Sequence, residues 1–393
     1  MNKNTNYNTL IEYYLPFFLL LSQYKIGLVT IGEMGLILLA FIHIVKNNFQ
    51  LAFKKNIWAI CLLGYVISRS LINCIFHIEE FSFTFNSCLQ WLVIFVSVLC
   101  LTNKVFDEEK LYKVWKKAGA FFSLGLFYQL ISIYALGTYV GPISLIPGYV
   151  LRANEVSLRP SSFFAEPALF TSAMLPLVFM ALKKKDYKWA FGATLMVIAT
   201  TSTVAIILTS VLWLLAFLQK GEGLKNRLIF IIAIIVGILV IGNLSIFASS
   251  IGKLTTVLEG GSTVGTRIIC GFDTIMTMNI LEWLFGTTFN DVTAYILQNI
   301  YLFSASSPVL LYMSAHGQIF LNTFCQIVFK YGLFGFLLYW NAIYTRLFKA
   351  NYEAKAYLIM MLVSILGQSK FFNAIFFMEL MLILLYDREE KID

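Results

Sequence analysis

The chain has 393 residues, of which 59% are hydrophobic and only 13% charged, with 36 phenylalanines and a formal net charge of +8. A soluble domain averages about 45–50% apolar and about 25% charged residues, so this composition excludes an ordinary water-soluble enzyme, and its hydrophobicity excludes a disordered chain. At about 20 apolar residues per bilayer crossing, the apolar fraction supplies roughly a dozen crossings.

Twelve apolar runs follow one another, near 10–24, 26–45, 57–76, 84–102, 118–137, 163–182, 188–200, 203–218, 228–247, 316–340, 356–369 and 371–386. They predict an all-α polytopic integral membrane protein with about 12 transmembrane helices. Two junctions stay open. The stretch 188–218 reads as two short spans or one long run, and 356–386 is interrupted only by Ser369 and Lys370.

With the N-terminus inside, the cytoplasmic segments are 1–9, 46–56, 103–117, 183–188, 219–227, 341–355 and 387–393, and they hold 21 of the 29 Lys and Arg residues. The remaining eight are Lys25, Arg69, Arg152, Arg159, Lys253, Arg267, Lys330 and Lys370. Cytoplasmic loops carry the excess of Lys and Arg, so both termini are expected inside. The positive charge is then a topology signal, and no nucleic-acid partner is expected. The first apolar run follows a polar start with one lysine, lacks a small-residue cleavage site and leads straight into another run, so no cleavable signal peptide is expected. The six cysteines show neither a CxxC nor a Cys/His cluster of zinc spacing.

Two outer segments are longer than connectors need to be, about 138–165 and about 248–315, and long loops in compact proteins are usually functional or disordered. The second carries apolar residues at helical spacing (Ile268, Ile269, Phe272, Ile275, Met276, then Tyr295, Ile296, Leu297, Ile300), which predicts amphipathic helices at the outer interface. In the first, Arg159-Pro160-Ser161-Ser162-Phe163-Phe164-Ala165-Glu166-Pro167 leads into the sixth run. Pro160 disfavours helix at Arg159, and Glu166 falls near a first helical turn, where the helix dipole favours a carboxylate. In the second, Arg267 follows the cluster Glu259-Gly260-Gly261-Ser262-Thr263-Val264-Gly265, which lacks the GK[ST] of a phosphate-binding loop. His316 stands where the second loop is expected to enter the tenth span.

Each feature has a plain reading: an interfacial arginine at a helix start, a flexible turn before a helix, a histidine that only hydrogen-bonds. Together they suit a membrane-bound diphosphate substrate. Arginine binds phosphate oxygens in a fork and stays charged, and histidine exchanges a proton near neutral pH. No outer acidic pair or His/Asp/Glu cluster is present in the sequence, so neither a metal site nor a cofactor is expected.

The stretch from Arg159 to Pro167 resembles the R-x-S-S-F-F-x-E-P outer-loop signature of Wzy-type O-antigen and capsule repeat-unit polymerases. Arg267, then Leu284-Phe285-Gly286, His316 and Tyr331-Gly332-Leu333-Phe334-Gly335, resemble the O-antigen polymerase and ligase superfamily. Here Gly317 follows His316 and the gap to Gly332 is longer than the family pattern. The resemblance implies a GT-C-like glycosyltransferase of the bacterial inner membrane. It would join oligosaccharide repeats carried on undecaprenyl diphosphate into O-antigen or capsular polysaccharide at the periplasmic face. By this carry-over Arg159 and Arg267 hold the diphosphates or stabilise the leaving group. His316 activates the acceptor or contacts diphosphate, and Glu166 orients Arg159 or acts as base. Arg152, Ser161 and Ser162 contact substrate. Membrane lipid and a chain-length regulator protein are the implied partners.

Two alternatives accompany this reading. A ligase of the same superfamily shares most of the motifs. A flippase for the same lipid-linked repeat would use charges inside the spans, namely Glu12, Glu33, Arg69, Lys330 and Glu379. Against it, Glu12 lies near a span end and can snorkel, and Glu33 with Arg69 reads as an ordinary ion pair.

Overall fold

In lipid a backbone must satisfy its own hydrogen bonds, and helices do so within each segment. The computed structural model describes residues 10–47, 53–77, 81–102, 106–151, 159–218, 263–317 and 319–387, and nearly all of its regular structure is helical. In chain order the helices are α1 (Leu10–Tyr14), α2 (Phe18–Leu21), α3 (Ile31–Asn47), α4 (Phe53–Phe76), α5 (Phe81–Leu101), α6 (Glu108–Tyr134), α7 (Pro167–Lys183), α8 (Tyr187–Ala199) and α9 (Thr203–Leu218). They continue with α10 (Thr263–Met276), α11 (Ile280–Phe285), α12 (Val292–Gln298), α13 (Pro308–His316), α14 (Thr323–Ile343), α15 (Tyr352–Gly367) and α16 (Ala374–Tyr386). Among the described residues three helical stretches are long and apolar enough to cross a membrane, Asn56–Ile75, Phe81–Leu101 and Thr323–Phe348, and shorter apolar helices include Pro167–Lys183 and Ala374–Tyr386. The protein is an all-α membrane protein. The expected run at 228–247 lies outside the described residues.

Several expected edges move. Before α3 the chain makes a minimal antiparallel hairpin, pairing Lys25 with Thr30 and Ile26 with Val29, with Gly27 at φ +64° in the turn. Helix α6 starts at Glu108 instead of near 118, because Asp107 caps it by accepting from Lys110 N–H at 3.0 Å and the polar first turns remain helical. The 188–218 stretch is two helices separated at Thr201 (φ +53°), and 356–386 is two helices separated near Phe372 (φ +53°). Helix α14 starts at Thr323, so His316 ends the preceding helix α13 instead of opening a span.

The chain divides into two compact units, 1–39 with 104–254, and 40–103 with 255–393. In the first, α7 is buried along almost its whole length among α2, α6, α8 and α9. A helix apolar all round belongs at such a centre. Pro176 removes one donor from its ladder, and in the turn this weakens, Trp115 of α6 donates Nε1–H to the Ala173 carbonyl at 2.8 Å. At the basic end of this unit, segments that the charge count puts on one side meet. Lys183 pairs with Glu108 (2.8 Å), Lys184 with Glu109 (2.7 Å) and Lys116 with Asp186 (3.4 Å). Glu12 joins them without snorkelling. It is 1% exposed and accepts from the Asp107 backbone N–H at 3.1 Å.

In the second unit α14 is the hub, packed on α4, α10, α11 and α15. Arg346 donates to Asn56 at 2.7 Å and lies 3.6 Å from Asp387, again joining segments expected on one side. Inside this unit Lys370 and Glu379 form a buried ion pair at 2.5 Å, with side chains 2% and 7% exposed.

Glu33 and Arg69, read from the sequence as an ion pair, each make bonds within their own unit. Glu33 closes a capping box at the start of α3, accepting from Thr30 N–H at 2.8 Å while its own N–H donates to Thr30 Oγ1 at 3.2 Å. Arg69 spends its guanidinium on backbone carbonyls of the second long loop.

Candidate functional site

The first long loop is built on two amide side chains, one from α6 and one from the turn that follows α2. Gln129 of α6 is 1% exposed and makes four hydrogen bonds. Its Nε2 donates to the carbonyls of Gly141 (2.6 Å) and Val140 (3.3 Å), and its Oε1 accepts from the N–H groups of Ser162 (2.6 Å) and Ser161 (2.9 Å). Both ends of the loop therefore hang on one residue. Gln23 holds the far end, accepting from Ala165 N–H and donating to the Phe163 carbonyl at 3.4 Å. Leu145 N–H donates to the Tyr24 hydroxyl at 2.8 Å.

The aromatic pair of the motif locks the same turn. Phe163 stacks on Phe121 with centroids 4.5 Å apart, and Phe164 sits edge-on to Phe122 at 5.0 Å. Ser162 takes φ +58°, donates Oγ–H to the Phe122 carbonyl at 2.6 Å, and accepts at its own carbonyl from Ile143 N–H at 2.9 Å. Gly125 leaves room for it, since a Cβ there would stand 2.6 Å from Ser162 Oγ. Ser161 and Ser162 are thus buried and employed in building the turn.

This turn presents Arg159 and Glu166. Arg159 is half-buried and makes no hydrogen bond or ion pair among the described residues. Glu166 is the N-cap residue of α7 in extended conformation, but its exposed carboxylate caps nothing and forms no ion pair with Arg159. Its expected role in orienting that arginine has no bond to support it. Arg152 lies outside the described residues.

The second long loop folds on its own account. Three of its helices, α11, α12 and α13, begin at side-chain caps: Asn279 with Glu282 in a capping box, Asp291, and Ser307, whose hydroxyl donates to Asp273. They enclose a core of Cys270, Ile275, Tyr295, Ile296 and Val309 against Cys325, Val328 and Phe329 of α14. Burial pushes the Cys270 thiol up to about 11, with the Asp273 carboxylate adding to the effect. As the apolar spacing predicts, α10 and α12 are helices with one buried face, and Arg267 lies in the first turns of α10.

Arg267 is held through its backbone. Asn322, fully buried, caps α14 by accepting from Cys325 N–H at 2.8 Å and donates Nδ2–H to the Arg267 carbonyl at 3.4 Å. One turn on, Gly271 lets α10 approach α14, since a Cβ there would stand 2.8 Å from Cys325 Sγ. The backbone of His316 closes α13, followed by Gly317 in the left-handed region.

The two glycine motifs interlock. Helix α14 breaks at Gly332 (φ 67°, ψ −175°), a conformation nearly reserved for glycine. A Cβ on Gly332 would overlap the backbone of Leu284 and Phe285, and a Cβ on Gly286 (φ +87°) would overlap the backbone of Lys330 and Tyr331. Thr287 N–H donates to the Phe329 carbonyl at 2.7 Å, and the Tyr65 hydroxyl to the Tyr331 carbonyl at 2.9 Å, so the carbonyls around the break find donors. Arg69 closes the assembly, donating to the carbonyls of Phe285 (2.9 Å), Gly286 (2.8 Å) and Thr287 (3.3 Å). The sequence marked both glycine motifs but not their mutual contact, nor Arg69, Gln129 and Asn322 as the residues that hold the loops. A polar amide alone in an apolar run, as at Gln129, was the available signal.

No protein-family model matches the chain, and no curated protein does. Arg159 and Glu166 belong to the first compact unit, and Arg267 and His316 to the second.

Proposed function

We propose that this protein is a polysaccharide polymerase of the bacterial inner membrane, with about twelve spans, a GT-C-like arrangement and both termini cytoplasmic. It joins oligosaccharide repeats carried on undecaprenyl diphosphate at the periplasmic face. The observation that carries the reading is Arg159. The loop around it is pinned by the buried amide of Gln129 and the half-buried amide of Gln23, yet its guanidinium has no partner among the described residues. A cation built into an ordered turn and left available suits an anionic ligand from outside the chain.

In the proposed reaction a hydroxyl at the nonreducing end of the acceptor repeat attacks the anomeric carbon of the donor chain. A new C–O bond forms, and the bond to diphosphate breaks with its electron pair leaving on undecaprenyl diphosphate. Arg159 and Arg267 offset the charge that develops on the leaving group. The hydroxyl proton passes to a base, for which the candidates are His316 and Glu166, the latter exposed and not bonded to Arg159. The flippase alternative drew on intramembrane charges. Glu12, Glu33, Arg69 and Glu379 each have a local structural bond, which weakens its support.

The test is an assay with a defined undecaprenyl-diphosphate repeat, run with and without EDTA. The native protein is expected to give a ladder of products that chelation does not change. Arg159→Ala and Arg267→Ala are each expected to lower polymer yield at least about 100-fold, the scale of a lost charge stabiliser. Normal ladders from both variants would sink the proposal. Transfer only to a lipid A core or a protein acceptor would favour the ligase.

A further inference from the structure

A groove of about 420 Å³ runs along the first unit between α6, α7 and α8. That volume lies at the lower end of small-molecule sites, about 300–1,000 Å³. Its walls are apolar and its floor is made of small residues, among them Gly119, Gly192 and Ala193. From Lys188 to Met196 it follows α8 for about 12 Å, at a rise of about 1.5 Å per residue. Exposed Leu124 and Phe127 edge it, so it opens where lipid chains lie.

The chemistry changes at one end. There Lys188 and Trp189 line the groove, and Lys116 lies over the Trp189 ring at 5.1 Å. The neighbouring cations have carboxylate partners: Lys183 with Glu108, Lys184 with Glu109 and Lys116 with Asp186. Lys188, by contrast, is exposed and has no hydrogen-bond or ion-pair partner among the described residues. An apolar slot ending in an available ammonium group and an interfacial tryptophan matches an acyl chain ending in an anionic headgroup.

We propose that this groove binds one anionic glycerophospholipid from the leaflet at the basic end, with an acyl chain along Gly192 and Ala193 and its phosphate at Lys188. The site is separate from the loops assigned to sugar transfer and does not depend on that assignment.

The test uses Trp189 as reporter. The full-length protein and its Trp189→Phe variant are reconstituted in phosphatidylcholine vesicles containing rising fractions of dibrominated phosphatidylglycerol or dibrominated phosphatidylcholine. The difference in fluorescence between the two proteins isolates Trp189 from the other tryptophans. Its quenching is expected at about five-fold lower mole fraction of the brominated phosphatidylglycerol, the effect of one lysine facing an anionic lipid. Lys188→Gln is expected to erase that preference. Gly192→Leu is expected to reduce quenching by both lipids, because a side chain at Gly192 enters open space and fills the slot without disturbing the fold. Equal quenching by the two lipids in the native protein, or a preference that survives Lys188→Gln, would overturn the proposal. So would full relief of quenching by an equal fraction of undecaprenyl phosphate, which would assign the groove to the polyprenyl carrier.

Discussion

The two long loops reach order by opposite routes. The first, about 138–165, has no helix among its described residues and hangs from side chains of the segments around it, chiefly Gln129 of α6 and Gln23 of the turn after α2. The second contains four helices among its described residues, each with its own cap or buried face, and meets α14 through a glycine interlock clamped by Arg69. In the first loop a few polar residues carry the geometry. In the second it is spread over many apolar contacts and concentrated only at the interlock.

Substitutions test this contrast. The largest effect is expected at Gly332→Ala, where a glycine-only backbone and an overlap with the Leu284 backbone coincide. Strain and overpacking together should cost about 4 kcal/mol, read as a fall in thermal unfolding temperature, with cleavage in 280–290 by limited proteolysis. Gln129→Leu comes next. It strands two N–H groups and two carbonyls, at about 3 kcal/mol, and should expose 140–162 to protease while leaving the second loop resistant. Equal cleavage of both loops in that variant would break the comparison. Asn279→Ala removes one helix cap among several in the second loop and is expected to cost about 1 kcal/mol without new cleavage sites.

The smallest effect concerns pH at the basic end. Tyr112 donates to Asp186, and Lys184 binds Glu109; these bonds hold both carboxyls below their usual pKa. A carboxyl depressed in the folded state contributes stability that is complete above its unfolded pKa, about 4, and is lost as pH falls below it. Native protein should therefore lose more stability between pH 5 and pH 3 than an Asp186→Asn, Glu109→Gln variant. Glu109 is exposed and Asp186 only half-buried, so the difference should be modest and should shrink in salt.

What the sequence made legible follows from the range of each interaction. Apolar runs and helical spacing are local, so most helices, the two long loops and the amphipathic α10 and α12 could be read directly. Edges moved where polar residues continue a helix, as at Glu108–Lys117, or where apolar residues belong to a turn, as at Phe163 and Phe164. Arg159 and Arg267 stood out because cations are rare in this composition. Gln129 bonding to residues 140–162, and Arg69 reaching from α4 to 285–287, are pairings across the fold that no periodicity encodes. Charge matching picked out Arg69, but not that its guanidinium sets a fork of donors against a run of carbonyls.

The Lys370–Glu379 pair also bears on how the chain is made. Its members are nine residues apart, on the turn before α16 and within that helix. Inserted alone, each charge at mid-bilayer is opposed by about 2.5–3.5 kcal/mol on the scale that governs membrane integration. Because the partner is so near in sequence, the two can neutralise each other before the rest of the bundle has assembled. If α16 enters the bilayer as the sequence leads one to expect, it brings a counter-ion for Lys370 with it. Glu379→Gln should trap Lys370 as an uncompensated charge at that stage, giving protein that is made but not integrated.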